Sequence, residues 1–490
     1  MQAKIIILNN KKCQIIADDE LLIKRIRSRL SYRMKGVEYT AAYSNGWNGI
    51  TYLLSKANKF DLGLLENVKE YLNSSKIDFT IEDNRTAKSI SEELDISENL
   101  KKHGLIPRDY QLRIIKSLNN NDRGIIRAAT GSGKSLVAAL MVAKLNKPTI
   151  IYVIGLDLLS QFHELFSKIF NEEIGYVGNG VCKIGRITIA SIWTIGKALD
   201  LGDDLFLDDE NDSKELSPRV ENCFKIKELL KQTKVHIIDE CHVVTTNTIS
   251  SIYKQIDPEY IVGLSGTPYR NDGSDLLITS ILGEKIIDIS ASELIEKGIL
   301  AQPIIKFVSV PKKIMHSTNY QVVYKDYIVE NPIRNNLILD NVKQLLEKKY
   351  TPLVLFKHIR HGDILYELFL NAGIKCRMLY GNDSLIVRNE VKEQISNKEI
   401  DVVLASTIYD LGVDLPILSA LVLCGGGKSS IRALQRIGRC IRKYPGKSHS
   451  CVVDFYDNAR FLKGHSVDRF QVYKSEPGFK IIKCKELKKI

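Results

Sequence analysis

The feature that most constrains this chain is a pair of consecutive series in which short β-branched runs alternate with helical patterns. The first series begins near Ile125 and contains GIIRAA, PTIIYVIG, RITIASI, VHIIDE and YIVGLSG. Each run is apolar on both faces, as a strand buried in a parallel sheet must be. Helical segments such as SLVAALMVAKLN and LLSQFHELFSKIF lie between them. The pattern restarts at TPLVLFKH and continues through KCRMLYG, DVVLAST, ALVLCGG and SCVVDFYD. Two successive βα series predict two tandem doubly wound α/β domains with parallel sheets. The expected boundaries are 100–300 and 301–490, with the joint near Ile299–Pro303. Residues 1–95, which contain Gly46, Trp47 and Gly49, read as a separate small α/β module. One stretch interrupts the first series: Leu199–Leu216, LDLGDDLFLDDENDSKEL, is acidic and has no apolar period. It reads as a solvated surface loop, and its acidity would also suit a DNA-mimicking or regulatory role.

At 490 residues the chain has room for about three domains of roughly 150 residues each. Hydrophobic residues make up 44% and charged residues 26%, which excludes a disordered chain. The formal charge is +12 and the pI is near 9.0. An excess of that size favours a polyanionic partner, although a merely soluble basic protein shows it too. The nine cysteines are scattered, with no Cys-x-x-Cys pair, and read as small buried apolar residues in a reducing compartment. The apolar run near the start is too short for a signal peptide, and no apolar stretch reaches membrane-spanning length. The expectation is a soluble, cytoplasmic protein with no membrane partner, monomeric or loosely associated.

Residues Ala128–Ser135 read AATGSGKS, directly after one predicted strand and directly before a predicted helix. That context is what a phosphate-binding loop requires. Gly131 and Gly133 let backbone N–H groups turn inward around phosphates, and the new helix presents its N-terminus to the same anion. Lys134 is placed to reach the β- and γ-phosphates, and the Ser135 hydroxyl to ligate Mg²⁺. Thr130 and Ser132 complete the candidate ATP contacts of this loop.

The run VHII ends in Asp239-Glu240-Cys241-His242. An acidic pair at the C-terminal end of a strand lies where open α/β sheets hold ligands. Asp239 is the candidate Mg²⁺ holder and Glu240 the candidate polariser of the attacking water. His242 is expected to couple this site to the rest of the cleft. The interval between Lys134 and Asp239 leaves room for βα units between what are expected to be two neighbouring central strands.

Further motifs follow in a fixed order. Arg108-Asp-Tyr-Gln111 precedes the phosphate loop, and Ser265-Gly-Thr-Pro268 follows DECH. Asp410-Leu-Gly-Val-Asp-Leu-Pro416 follows Ala405-Ser-Thr407, and Gln435-Arg-Ile-Gly-Arg-Cys-Ile-Arg442 comes last. The ordered set resembles that of the superfamily-two helicases. The resemblance implies two RecA-like domains, ATP and Mg²⁺ as cofactors, and nucleic-acid unwinding. It makes Arg108 and Gln111 the adenine-reading segment. It adds Gly412, Asp414 and Gln435 to the ATP contacts, and Arg439 and Arg442 as arginine fingers that reach the γ-phosphate across a cleft. The departures are Gly266, where the family usually has Ala, and the acidic insertion.

A narrower likeness rests on Tyr43-Ser-Asn-Gly-Trp-Asn-Gly49, Phe60-Asp-Leu-Gly-Leu-Leu65, Leu355-Phe-Lys-His-Ile-Arg-His-Gly362, Gly427-Lys-Ser-Ser430 and the HSVDRFQVY near His465. These are similar to the bacteriophage helicases of recombination and replication forks. They imply remodelling of branched DNA by fork regression, Holliday-junction branch migration or R-loop unwinding. The same logic makes Gln161, Ser191–Thr194, Lys357–His361, Thr407 and Lys428–Ser430 candidate contacts to a strand held without sequence preference. Thr194, Lys357, His358 and Lys428 are the sharpest of these. Lys24, Arg25, Arg27, Arg29, Arg33, Tyr43 and Trp47 suit duplex DNA near a branch, or else a core tryptophan beside a solvated basic face. An RNA helicase and the motor of a restriction-type nuclease remain open alternatives at this level.

Overall fold

The structure, a computed structural model, describes residues 2–33, 37–39, 41–88, 91–204, 218–242, 246–266, 275–380, 383, 385–406, 417–427, 437 and 449–489. The chain divides into two compact units, Met1–Ala128 with Gly133–Asp288, and Ala129–Ser132 with Ile289–Ile490.

The first unit opens with a small mixed sheet. Strand β1 (Gln2–Ile7) pairs antiparallel with β2 (Lys12–Ala17) and parallel with β6 (Asp78–Asp83), and β5 (Lys59–Asp61) completes the order β5-β2-β1-β6. A separate antiparallel pair joins β3 (Ser31–Arg33) and β4 (Ile50–Tyr52). Alternation buries Ala3, Ile5 and Ile7 of β1, the period-2 signature of a half-covered strand. Helices Glu20–Arg29 and Leu65–Ser74 cover that face with Leu22 and Ile26, and with Val68 and Leu72, pairs four residues apart that share one helix face. Asp19 caps the first helix by accepting from the Leu21 N–H at 2.7 Å.

This module is seated closely on the rest of the unit. A Cβ at Gly63 would lie 2.2 Å from the carbonyl oxygen of Thr279, in helix Asp275–Leu282, so a larger residue would push the two apart. Tyr253 donates its hydroxyl to Lys11 O at 3.1 Å, and the Asn67 amide donates to Glu284 at 2.7 Å.

The large sheet of this unit contains β7 (Arg123–Ala128), β8 (Thr149–Val153), β9 (Gly175–Gly178), β10 (Val181–Lys183), β11 (Ile187–Ser191), β12 (Val235–Asp239), β13 (Tyr260–Ser265) and β14 (Lys285–Ile289), in the order β10-β9-β11-β8-β12-β13-β7-β14. β8, β11 and β12 are buried at every residue, which is why their sequences carry no polar face. The phosphate-loop strand β7 and the acidic-pair strand β12 are not neighbours, contrary to the sequence expectation. β13 lies between them and pairs in parallel with both, with Leu264 opposite Asp239 on one side and Ile126 on the other. A sequence interval limits how many strands fit between two motifs but not their spatial order. The interruption near Leu199 also differs from expectation. Helix Ile192–Asp204 continues into its first six residues, and Leu199 is buried with Ile192, Ile195 and Ala198 in one core cluster. Spacings of three and four make those four residues one helical stripe. Residues 205–217 lie outside the described residues.

The second unit contains β15 (Gln302–Val310), β16 (Pro352–Phe356), β17 (Cys376–Leu379), β18 (Val402–Ser406), β19 (Ala420–Leu423), β20 (His449–Asp457) and β21 (Lys480–Ile482). Their order is β17-β18-β16-β19-β20-β15-β21, and all pairings are parallel. The second sheet is thus parallel and the first is parallel through its centre, with β10 added antiparallel at the β9 edge; both are wound with helices, as the two βα series predict. Among the described residues eight cysteines are free and five of them are buried. No described helix is long and apolar enough to cross a membrane.

Candidate functional site

In the first unit the chemistry-bearing residues gather at the C-terminal edge of the large sheet. β7 runs into the phosphate loop, and helix Lys134–Leu145 begins at its end. Gly131 and Gly133 have φ of +88° and +77°, values that an L side chain rarely adopts. Gly133 is constrained a second time, because a Cβ there would lie 2.7 Å from the Gln111 amide nitrogen. Gln111 is buried, on helix Asp109–Ser117, and its Oε1 accepts the Arg108 N–H at 2.9 Å. The segment read as adenine-reading is therefore packed directly on the phosphate loop.

Asp239 closes β12, and Glu240 follows it with a φ of +47°. This left-handed backbone is strained for glutamate and turns the chain sharply at the strand end. Glu240 Oε1 lies 2.9 Å from Lys134 Nζ, with both side chains mostly buried. Asp239 is 4% exposed, and its Oδ1 has no hydrogen-bond partner among the described residues. Burial raises the Asp239 pKa, the neighbouring Glu240 charge raises it further, and Lys134 opposes both. A buried acceptor of this kind is suited to a cation, which would lower that pKa again.

His242 shares a 2.7 Å hydrogen bond through Nδ1 with the Ser265 hydroxyl, and the same nitrogen lies 3.5 Å from Glu240 Oε2. The DECH turn is thereby joined to the last residue of β13, where the Ser-Gly-Thr-Pro motif begins. The position of β13 between β7 and β12 makes this contact possible. Thr267 and Pro268 lie outside the described residues.

In the second unit, Lys357 and His358 follow β16 and are exposed, with His358 immediately before helix Ile359–Asn371. Lys357 Nζ lies 5.3 Å from the Tyr324 ring centroid, and the His358 ring lies 4.9 Å from it. Tyr324 donates its hydroxyl to Gly425 O, in the glycine loop that leads to Lys428. Arg469 holds the same loop through Gly427 O at 3.0 Å while it is paired with Asp454 in the core.

Two family models match the chain: "Type III restriction enzyme, res subunit" over residues 104–270 and "Helicase conserved C-terminal domain" over residues 337–444. Helicase 22 of Sulfolobus islandicus filamentous virus (isolate Iceland/Hveragerdi) is 30% identical over 396 residues, 75% of this chain and 67% of that protein. The chain belongs to the superfamily-two helicases. It is an ATP-dependent helicase with two tandem RecA-like domains behind a small mixed sheet. The ATP-dependent DNA helicase UvsW of Enterobacteria phage T4 is 25% identical over 498 residues, 94% of each chain. A fragment of an HsdR subunit of a type I restriction enzyme from Vibrio vulnificus YJ016 shares the fold, with TM-score 0.54 at 18% identity over 76% of this chain and 67% of that one.

The helicase motifs are placed unevenly. Arg108, Gln111, Thr130, Gly131, Ser132, Gly133, Lys134, Ser135, Asp239 and Glu240 are described. Thr407, Gly412, Asp414, Lys428, Gln435, Arg439 and Arg442 lie outside the described residues. Gln161 is exposed on helix Leu156–Ile169, and Thr194 is half-buried in the first turn of helix Ile192–Asp204. His361 and Ser191, read as part of candidate strand-contacting stretches, are buried. His361 Nε2 instead meets Asn335 Oδ1 at 3.1 Å inside the second core. The spacing explains this, since His358 at the helix start and His361 three residues later cannot both face solvent when the helix packs on its sheet. The sequence reading missed Tyr324, which no motif marks.

Proposed function

We propose that this helicase couples ATP hydrolysis to movement along DNA and remodels branched DNA, by fork regression, branch migration of four-way junctions and R-loop unwinding. The observation that carries the motor half is the meeting of Lys134 with Glu240 beside the buried Asp239 carboxylate at one sheet edge. The branched-DNA half draws on the phage T4 relative, named an ATP-dependent DNA helicase, whose overlap of 94% of both chains must reach into residues 1–95. There Arg27 lies 4.9 Å from the Tyr52 ring, Arg33 5.7 Å from Tyr43 and Arg29 5.9 Å from Tyr71, with Tyr43 and Tyr52 exposed. Such a basic and aromatic face suits DNA phosphates beside unpaired or frayed bases.

In this reading the backbone of Thr130, Gly131, Ser132 and Gly133 cradles the phosphates, and Gln111 with Arg108 reads the adenine edge. Phosphate oxygens compete with Glu240 for Lys134. Their binding releases the Glu240 carboxylate to accept a proton from the attacking water. Ser135 and the partnerless Asp239 Oδ1 would hold Mg²⁺ as oxygen donors. Held there, the ion would supply positive charge against the phosphates. Arg439 and Arg442 stabilise charge developing at the γ-phosphate, and Gly412, Asp414 and Gln435 complete the nucleotide contacts. Gln161, Thr194, Lys357, His358, Thr407 and Lys428 bond phosphates, so binding is insensitive to sequence and weakens with salt.

The test is ATP hydrolysis by the full chain with no nucleic acid, single-stranded DNA, a forked duplex, a four-way junction or RNA, with Glu240→Gln as the inactive control. Stimulation by forks and junctions, with conversion to regressed or separated products, is the expected result. Stimulation by RNA alone would overturn the substrate, and hydrolysis by Glu240→Gln at the wild-type rate would remove the water-polarising role. A second reading, the motor of a restriction-type complex, is favoured by the family model over 104–270. It predicts stimulation by long linear duplex with no junction product.

A further inference from the structure

The HSVDRFQVY segment has no part in the ATP site, and the residue just before its helix is unusual. Phe461 precedes helix Leu462–Lys474 with φ +65° and ψ −46°. The Leu462 N–H donates to Arg460 O at 2.8 Å across it. This is a γ-turn with positive φ, a rare and strained form that a phenylalanine does not adopt by local preference. The turn projects an aromatic ring toward water, with 40% of the residue exposed.

The surroundings define what that ring can receive. Arg460 holds its guanidinium 5.2 Å from the Phe461 ring centroid. Tyr320 meets the same ring edge-on at 6.1 Å and fixes its position. Tyr320 in turn packs on Tyr324 at 5.9 Å, and Tyr324 on His358 at 4.9 Å. One continuous aromatic row therefore links Phe461 to Lys357 and His358, and to the glycine loop that leads to Lys428. Exposed Lys357, Arg460 and Lys463 place positive charge along the row. An exposed ring on a rigid backbone, backed by an arginine and flanked by cations, is the arrangement that stacks an unpaired base while its phosphates are neutralised.

We propose that Phe461 is a base-stacking platform for a single nucleic-acid strand held on the second unit. The proposal rests on the reading of this chain as a motor that grips nucleic acid, and adds a contact that none of its helicase motifs supplies. The strain at Phe461 is then the cost of presenting the ring, so glycine at this position stabilises the fold while removing the platform.

The test uses the full chain and two single-stranded probes of equal length, oligothymidylate and a wholly abasic oligonucleotide. Phe461→Ala and Phe461→Gly are expected to bind oligothymidylate roughly tenfold more weakly, the size of one lost stacked base. Both should bind the abasic strand as the wild type does. Phe461→Trp is expected to retain wild-type affinity for oligothymidylate, and Phe461→Gly to melt at or above the wild-type temperature. Equal losses on both probes, or wild-type affinity of Phe461→Ala for oligothymidylate, would overturn the platform and leave the motor intact. Failure of the wild-type chain to bind either strand would overturn both.

Discussion

At the residue scale, the local geometry of the candidate ATP site was legible wherever it depends on backbone pattern. Gly131, Lys134 and Ser135 are specified by a strand, a turn and a helix that follow one another directly, and Asp239 by the end of an apolar strand. Gln111 could be named from its motif, but its position against Gly133 could not, because that contact joins a helix to a loop packed beside it. Gly133 therefore answers two demands at once, a φ of +77° and a 2.7 Å approach of the Gln111 amide. Gly133→Ala is expected to keep the fold and to raise KM for ATP about tenfold. The left-handed conformation alone costs an L-residue about 1–2 kcal/mol, and the displaced Gln111 adds to it. Steady-state ATP hydrolysis alongside a melting curve checks this, and an unchanged KM would show that the crowding is relieved without consequence. Phe461 had no signal in the sequence, since a lone phenylalanine after an arginine follows no pattern.

At the scale of elements, the central strands of both large sheets were legible, while β9, β10, β14, β15, β21 and the strand order were not. Apolar runs bounded by turn residues announce buried strands, but which strands become neighbours depends on how the connecting helices pack. β13 entered between β7 and β12 and brought Ser265 to His242 at 2.7 Å. That contact turns two motifs, separate in sequence, into one hydrogen-bonded edge. It joins side chains of the two motifs directly, so removing the Ser265 hydroxyl tests the coupling at the motif itself. Ser265→Ala is expected to retain hydrolysis without nucleic acid and to lose most of the stimulation by DNA. A bond of this kind contributes about 0.5–1.5 kcal/mol net, too little to unfold a sheet buried on both faces. The measurement is the ratio of kcat with and without DNA, and an unaltered ratio would sink the coupling role. The helix through Leu199 was missed for a related reason, because the acidic residues after it masked the four-residue stripe Ile192, Ile195, Ala198 and Leu199.

At the scale of the whole molecule, each unit buries a histidine whose core disfavours its charged form. His236 lies on β12, with Nδ1 2.9 Å from the Tyr152 hydroxyl, and burial pushes its pKa down to about 3. His361 lies in the second core, and burial, helped by the Arg334 charge, pushes it down to about 3 as well. An unfolded histidine takes up its proton near 6.5. Above that pH neither state is protonated and the stability is complete. Between about 6.5 and 3 the unfolded chain binds a proton that the folded core refuses, so stability falls as pH falls. The slope is about 1.4 kcal/mol per pH unit for each histidine. In the first unit Asp239 works in the opposite sense, because its raised pKa lets the folded state take a proton early as the solution is acidified. In the second unit the His358 pKa is lowered too, by burial and by Lys357, so it adds to the acid sensitivity of His361 in the same sense. Denaturant unfolding is expected to lose about 2 kcal/mol from the second unit between pH 6.5 and pH 5. His361→Gln, which keeps a hydrogen-bonding group near Asn335 and removes the titration, is expected to flatten that slope while lowering stability at pH 7. If wild type and His361→Gln lose stability in parallel over this range, the acid sensitivity does not come from the buried imidazole.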